Sequence, residues 1–261
     1  MLRIVIPCAG AGSRFVTAGY KDPKPFIDLA GKPMIQRVID NLAPCEPHRF
    51  TLLFQREHES YVKKYKLDER ADVVWVEKLT DGACRTVLLA EHLMRRGDSL
   101  LIANSDQLVD FNDGQTINAL SFGTCEEKAI WWRNSNCVQD FINDSRTRHL
   151  NGSVAIFKSD GNPKWSYAKT NEYGYITEVA EKRAISGWAT VGLYYFERSS
   201  YFTEAAKQMI KKNIRTNGEF YVAPTINEME ETFGVYGIDR MIPLGTPEDF
   251  ESSLLLLKDR F

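Results

Sequence analysis

Leu2-Arg3-Ile4-Val5-Ile6-Pro7-Cys8-Ala9-Gly10-Ala11-Gly12-Ser13-Arg14-Phe15 is the stretch that decides the reading, together with Pro23-Lys24-Pro25-Phe26, whose lysine lies ten residues past Arg14. A run of apolar, partly β-branched residues reads as a buried strand, and it empties into a loop of small residues. Gly10 and Gly12 place no side chain between backbone N–H groups and whatever sits in the turn. Successive N–H groups in such a turn form a concave anion site. Arg14 and Lys24 add two cations at its rim, so Ala9, Gly10, Ala11, Gly12 and Ser13 read as a phosphate cradle.

Two other phosphate signatures are excluded by inspection. A Walker loop needs Gly-Lys-Ser/Thr after a four-residue gap, which Ser13-Arg14 does not supply. A dinucleotide fingerprint wants a third glycine opening a helix, and that slot holds Phe15. The order Ala9-Gly10-Ala11-Gly12-Ser13-Arg14-Phe15, then Pro23-Lys24-Pro25-Phe26, then Gly31-Lys32-Pro33-Met34-Ile35 resembles the NTP-dependent nucleotidyltransferases, among them the sugar-1-phosphate nucleotidyltransferases and related cytidylyltransferases. The resemblance implies transfer of a nucleoside monophosphate to a phosphorylated acceptor with release of pyrophosphate.

The first half alternates strand and helix signals: strands at 2–8, 50–54, 72–77 and 99–103, helices at 34–43, 57–66 and 83–95. Such alternation predicts right-handed crossovers and a parallel sheet covered by helices, with ligands at the carboxyl ends of the strands. The second half carries strand patterns at 128–132, 152–158, 165–170, 174–180 and 189–196, separated by turns such as Asn151-Gly152 and Asp160-Gly161-Asn162. Helices are expected at 199–212, 224–232 and 247–258. The expected fold is α/β: a Rossmann-like, mostly parallel sheet flanked by helices, with an antiparallel extension forming the acceptor side. One domain is expected, residues 1–125 serving the nucleotide and 126–261 the acceptor.

A net charge of −2 over 261 residues argues against a nucleic-acid partner, whose phosphates favour a basic face. Five cysteines without CxxC spacing fit reduced thiols rather than a disulfide or zinc framework. No apolar run approaches the roughly 20 residues that span a bilayer, and Pro7 with the polar residues from Ser13 onward interrupts any secretion signal. No membrane partner and a cytoplasmic location are expected.

Joining an acceptor phosphate to the α-phosphorus of an NTP gathers several negative charges, which the enzyme must neutralise and hold in line. Arg14 can clamp the β- and γ-phosphates with its two-pronged guanidinium, and Lys24 can meet the α-phosphate as a point charge. Asp106, in Asn104-Ser105-Asp106 just past strand 99–103, is the metal candidate. A carboxylate there is costly unless it meets a cation or caps a turn, and the resemblance implies that it holds Mg²⁺. Thr80, Gly82 and Ala83, in Thr80-Asp81-Gly82-Ala83-Cys84-Arg85-Thr86, match the segment by which the family contacts the base; Asp81 as a helix cap is the plain alternative. Ser105 and Gln55 are lesser nucleotide candidates. Gly82-x-x-Arg85-Thr86-Val87 carries a likeness to cytidylyltransferases and leaves CTP, dTTP and UTP open.

Glu181-Lys182 matches the family's acceptor-binding Glu-Lys pair, though an adjacent acid and base can equally be an exposed pair of little energetic weight. Ser166 and Tyr167, with Glu219 and Tyr221, are expected along the same cleft. Leu244-Gly245-Thr246-Pro247-Glu248-Asp249 reads as a helix start with proline at its first position, a structural role. One departure stands out. Sugar-1-phosphate members place a second metal-binding Asp where this chain has Pro224, whose side chain cannot ligate. A small phosphorylated acceptor other than a sugar, a phosphoamide included, therefore stays open. So do a glycosyltransferase, disfavoured by the missing first Asp of an Asp-x-Asp, and a non-catalytic nucleotide sensor.

Overall fold

The computed structural model describes residues 1–110 and 137–257. Strand β1 (Leu2–Pro7) is flanked by β4 (His48–Gln55) and β6 (Ser99–Ala103), and β4 is followed outward by β5 (Ala71–Val76), all parallel. Leu2, Ile4 and Ile6 enter one apolar cluster, and Val5 enters the cluster on the opposite face. Alternation of side chains across a strand explains the split, and burial on both faces explains why β1 is apolar throughout. Two two-residue strands, β2 (Asp28–Leu29) and β3 (Lys32–Pro33), make a small hairpin before the helix Met34–Leu42, whose Met34, Ile35, Val38 and Ile39 pack under the sheet.

The second half joins the same sheet. Strand β11 (Trp188–Phe196) runs antiparallel to β6 and forks. One branch continues through β9 (Ser166–Thr170) to β10 (Ile176–Glu181), and the other through β8 (Gly152–Lys158) to β12 (Phe233–Gly237). The nine strands of this sheet among the described residues thus pair a parallel half with a mixed half carrying the antiparallel extension. A separate pair, β7 (Gln107–Asp110) with β13 (Arg240–Pro243), sits just past β6. It is clipped down by Asn41, whose side chain accepts from Val109 N at 2.8 Å and donates to Val109 O at 2.9 Å.

Several expected elements differ. The span 57–66 is a 3₁₀ turn at Arg56–His58, a helix at Glu59–Lys64 and a second short helix at Leu67–Arg70, separated by Lys66 in left-handed backbone (φ 52°). The helix expected over 83–95 is α-helical only at Ala83–Leu88. The helix expected at 224–232 is a shorter 3₁₀ segment, Ala223–Glu228. The strand expected at 128–132 lies outside the described residues. A helix at Cys137–Thr147 and strands β7, β12 and β13 are present where no element was expected.

Candidate active site

At the end of β1 the chain turns into the small-residue loop. Cys8 N donates to Leu53 O at 2.8 Å, keeping the loop tied to β4. Gln55 does not line the cleft; its amide donates to Ala9 O (3.1 Å) and Gly10 O (3.2 Å) and braces the loop. A side chain added at Gly10 would meet nothing within 4 Å, so the loop backbone faces open space there. Gly12 takes left-handed backbone (φ 60°) to open the one-turn helix Ser13–Thr17, and a Cβ on it would come within 3.3 Å of Lys24 Cβ. Ser13 faces away from the cleft, into a shallow groove beside Pro247. Arg14 is exposed, lines the cleft and makes no ion pair among the described residues.

Lys24 is held by its neighbours. Pro23 and Pro25 flank it, and Phe26 anchors the turn by stacking on Phe54 and Tyr61 with ring centroids 5.3 and 4.8 Å apart. Its Nζ donates to Asp106 Oδ2 at 2.6 Å and to Gly245 O at 3.3 Å, and sits 5.6 Å from the Phe15 ring centre. Asp106 Oδ1 has no hydrogen-bond partner among the described residues. The segment read as purely structural therefore touches the site through the Gly245 carbonyl. It also starts its helix as expected, with Thr246 Oγ1 accepting from Asp249 N at 3.1 Å. Beneath the pair lies Cys8, fully buried, its thiol pushed well above its usual pKa first by burial and then by the Asp106 charge.

The 80–86 loop is built into the opposite wall. Thr80 Oγ1 and Thr86 Oγ1 are hydrogen-bonded to each other at 2.6 Å, one hydroxyl donating to the other, and both lie within reach of Gly82 O, at 3.1 and 3.2 Å. Phe220 N donates to Asp81 O at 2.8 Å and Cys84 N to Phe220 O at 3.0 Å, threading the loop onto the 219–222 strip. Gly82 is required at that crossing: its φ is 127°, and a Cβ would fall 2.3 Å from Phe220 O. Asp81 is not a helix cap. Its carboxylate takes Arg85 Nε and Arg215 Nη2, each at 2.8 Å, and both guanidinium groups lie over the Phe220 ring.

On the wall where the acceptor is expected, Ser166 donates to Glu181 Oε2. Burial, aided by the Glu219 charge, holds the Glu181 carboxyl above the ordinary carboxylate range in spite of Ser166 and Lys182. Lys182 Nζ donates to the Tyr221 hydroxyl at 2.5 Å, which donates in turn to Glu219 Oε2 at 2.7 Å. Lys182 itself occupies left-handed backbone (φ 55°), turning its side chain back toward this wall. Tyr167 is a correction to the sequence reading. It is fully buried, its hydroxyl donates to Asn162 O at 2.8 Å, and it belongs to the core. Neighbours on a strand point to opposite faces, so Ser166 and Tyr167 cannot share one cleft.

These walls enclose a cleft of about 600 Å³. The structure brings together Ala9, Gly10, Ala11, Gly12, Arg14, Lys24, Thr80, Gly82, Ala83, Ser105, Asp106, Ser166, Glu181, Lys182, Glu219 and Tyr221 as its lining, and leaves out Ser13, Gln55 and Tyr167. Sequence reasoning missed Asn104, Gln107, Thr190 and Gly192 on the floor and Lys164 at the rim. Asn104 stood within a quoted segment, whereas Gly192 sits in an apolar run that reads only as strand. Among the described residues no three His, Cys, Asp or Glu side chains gather as a metal site. Asp106 with a free Oδ1 fits a cation that takes one carboxylate and completes its shell with phosphate and water, as Mg²⁺ does.

The sheet, the glycine loop and the Lys24–Asp106 pair make an α/β protein with its cleft at the carboxyl ends of the parallel strands. Residues 4–122 match the family described as the MobA-like NTP transferase domain. The chain is 33% identical over 120 residues to the bifunctional protein GlmU of Neisseria meningitidis serogroup B, a match covering 44% of this chain and 24% of that protein. The chain thus spans about a quarter of the length of the curated relatives it matches. A solved UDP-glucose pyrophosphorylase complexed with UDP-glucose shares the fold with a TM-score of 0.75 at 16% identity, both chains covered completely. The nucleoside-diphosphate-sugar pyrophosphorylase from Vibrio cholerae RC9 does so with a TM-score of 0.73 at 22% identity, over 97% of this chain and 99% of that one. No helix among the described residues is long and apolar enough to cross a membrane.

Proposed function

We propose that this protein is a nucleotidyltransferase of the pyrophosphorylase type, joining a nucleoside monophosphate from CTP, dTTP or UTP to a phosphorylated acceptor. One observation carries the reading: the glycine loop, the Lys24–Asp106 pair and the Glu181–Lys182 pair all face one cleft. An acceptor phosphate oxygen attacks the α-phosphorus, the bond from that phosphorus to the β-phosphate bridging oxygen breaks, and pyrophosphate leaves. Arg14, free of ion pairing among the described residues, binds the β- and γ-phosphates. Lys24 moves from Asp106 to the α-phosphate, where charge develops in the transition state. Asp106 would then hold Mg²⁺, which when bound neutralises phosphate charge and orients the leaving group. Thr80, Gly82 and Ala83 receive the base, and Ser105 borders the phosphates.

Glu181 and Lys182 bind the acceptor, Lys182 at its phosphate, with Ser166, Glu219 and Tyr221 completing that wall. A sugar phosphate is the acceptor the family favours, and its product would feed surface-polysaccharide assembly in the cytoplasm. The test is a pyrophosphate-release screen with Mg²⁺, the five common NTPs including dTTP, and a panel of sugar phosphates and other phosphorylated metabolites. Release with one pair fixes base and acceptor together. Release of nucleoside diphosphate from an added nucleotide sugar would mark a glycosyltransferase instead, and NTP binding without turnover on any acceptor would mark a sensor.

A further inference from the structure

Asn104 and Gln107 bracket Ser105-Asp106, and their side chains converge on one spot. That spot is Gly192, where the pairing of β11 with β8 breaks between Thr190 and Tyr194 and the backbone turns left-handed (φ 69°). Asn104 N donates to Gly192 O at 3.0 Å. A Cβ on Gly192 would fall 2.2 Å from Asn104 Nδ2 and 2.9 Å from Gln107 Nε2. The missing side chain is therefore the seat in which both amides lie. Both residues line the cleft, yet neither side-chain amide has a hydrogen-bond partner among the described residues, although Gln107 is only 8% exposed. Opening on the cleft with no such partner, both amides are free to pair with a ligand that displaces water from it.

The charges around the cleft indicate which part of a ligand they meet. Phosphates have Arg14, Lys24 and Lys182 elsewhere, and the base has the 80–83 loop. The amides are neutral and offer donor and acceptor side by side, which suits hydroxyl groups. A cationic acceptor body would meet like charges on that wall: Lys164 and Lys182 already lie over the Trp165 and Tyr221 rings, 4.4 and 4.7 Å from their centres. We infer that Asn104 and Gln107, seated by Gly192, are specificity-determining residues that read the hydroxyls of an uncharged polyol or sugar body on the acceptor and disfavour a cationic one. The inference rests on the nucleotidyl-transfer reading and adds the acceptor's chemical class and the residues that select it.

The test uses the full chain with Mg²⁺. NTP binding is measured first by titration calorimetry, then pyrophosphate release with glucose 1-phosphate, myo-inositol 1-phosphate and phosphocholine. Expected is turnover with a hydroxylated acceptor and none with phosphocholine. Asn104→Leu and Gln107→Leu should each raise the acceptor KM roughly ten- to a hundredfold, the penalty for unmaking a hydrogen bond to a substrate hydroxyl, with the NTP KM within about twofold. Turnover of phosphocholine, or leucine variants that shift the NTP KM instead, overturns the assignment. If no acceptor turns over, binding of the two hydroxylated phosphates to the enzyme with a non-hydrolysable NTP replaces it: binding weakened in the leucine variants supports the inference, and unchanged or absent binding overturns it. Failure of every NTP to bind sinks nucleotidyl transfer itself. Gly192→Ala should reproduce the acceptor defect if it folds; the leucine variants, close in shape to the residues they replace, carry the test if it does not.

Discussion

Lys24 Nζ lies 2.6 Å from Asp106 Oδ2, joining two residues 82 positions apart at the bottom of the cleft. The lysine follows the small-residue loop, and the aspartate follows the fourth parallel strand of the first half. The pair thus places cation and carboxylate where two strand ends meet, the position at which open α/β sheets bind ligands. In the structure each neutralises the other; in the proposed reaction the lysine turns to the phosphates and the carboxylate becomes available to a metal ion.

That exchange sets the first prediction. Lys24→Ala should lower turnover by about two to three orders of magnitude, as loss of a group that meets developing charge does. The lysine and aspartate side chains are 19% and 29% exposed, so removing the lysine leaves a partly buried carboxylate that still reaches water, at a cost of about 1–3 kcal/mol, and the variant should fold. Asp106→Asn should raise the Mg²⁺ concentration for half-maximal rate, and chelation of the metal should abolish release in the wild type. Steady-state pyrophosphate assays and urea midpoints check both; unchanged turnover in Lys24→Ala removes its assigned role.

Arg14 is exposed and carries no ion pair among the described residues. Arg14→Ala should leave stability within about 0.5 kcal/mol, the usual range for surface changes, and raise the NTP KM roughly tenfold through loss of a two-pronged phosphate contact. Calorimetric titration with NTP separates this from a folding defect. Equal affinity in the two proteins would move the β/γ-phosphate site away from Arg14.

Gly82 joins the 80–86 loop to the 219–222 strip. Gly82→Ala puts a methyl 2.3 Å from Phe220 O in backbone with φ 127°, combining a clash with a conformation that L-residues avoid. Destabilisation of about 2–4 kcal/mol is expected, read as a lowered denaturant midpoint. Gly10→Ala, whose Cβ meets nothing within 4 Å, should cost under about 1 kcal/mol and act as the control. Equal losses in the two variants would mean that the Phe220 crossing is not rigid.

The parallel half of the sheet was legible because its strands are apolar on both faces, and because Gly10, Gly12 and Lys24 stand in an order few folds use. The Cys137–Thr147 helix was not. Its Asn, Asp, Ser and Thr residues are poor helix formers, and its stability comes from burying Val138, Phe141 and Ile142 and from Arg146 pairing with Glu46. Strands β7 and β13, four residues each, exist because they pair with each other and with Asn41, which no local pattern announces. In the site, proximity along the chain misled at Tyr167, where strand alternation turns the ring into the core. The amides of Asn104 and Gln107 acquire meaning only when β11 brings Gly192 against them. The same holds for Asp81, whose partner Arg215 comes from the far end of the chain.

Glu181 supplies the pH prediction. Burial, with Glu219 adding to it, raises its folded pKa above the unfolded value. The folded protein therefore binds its proton more tightly than the unfolded chain does. The stabilisation this gives is fully present below the unfolded pKa, about 4.3 for glutamate, and is lost as pH rises through the folded pKa. Glu181→Gln keeps the hydrogen bond from Ser166 and removes the charge. The variant should match the wild type in urea midpoint at acidic pH and exceed it increasingly as pH rises through that window, then hold a constant lead. Acceptor turnover should fall in the same protein, because the carboxylate is also the proposed acceptor ligand. Urea melts of both proteins across the pH range decide the point: a lead that is constant from the acidic end, or that reverses at neutral pH, would show that Ser166 and Lys182 outweigh burial at this carboxylate.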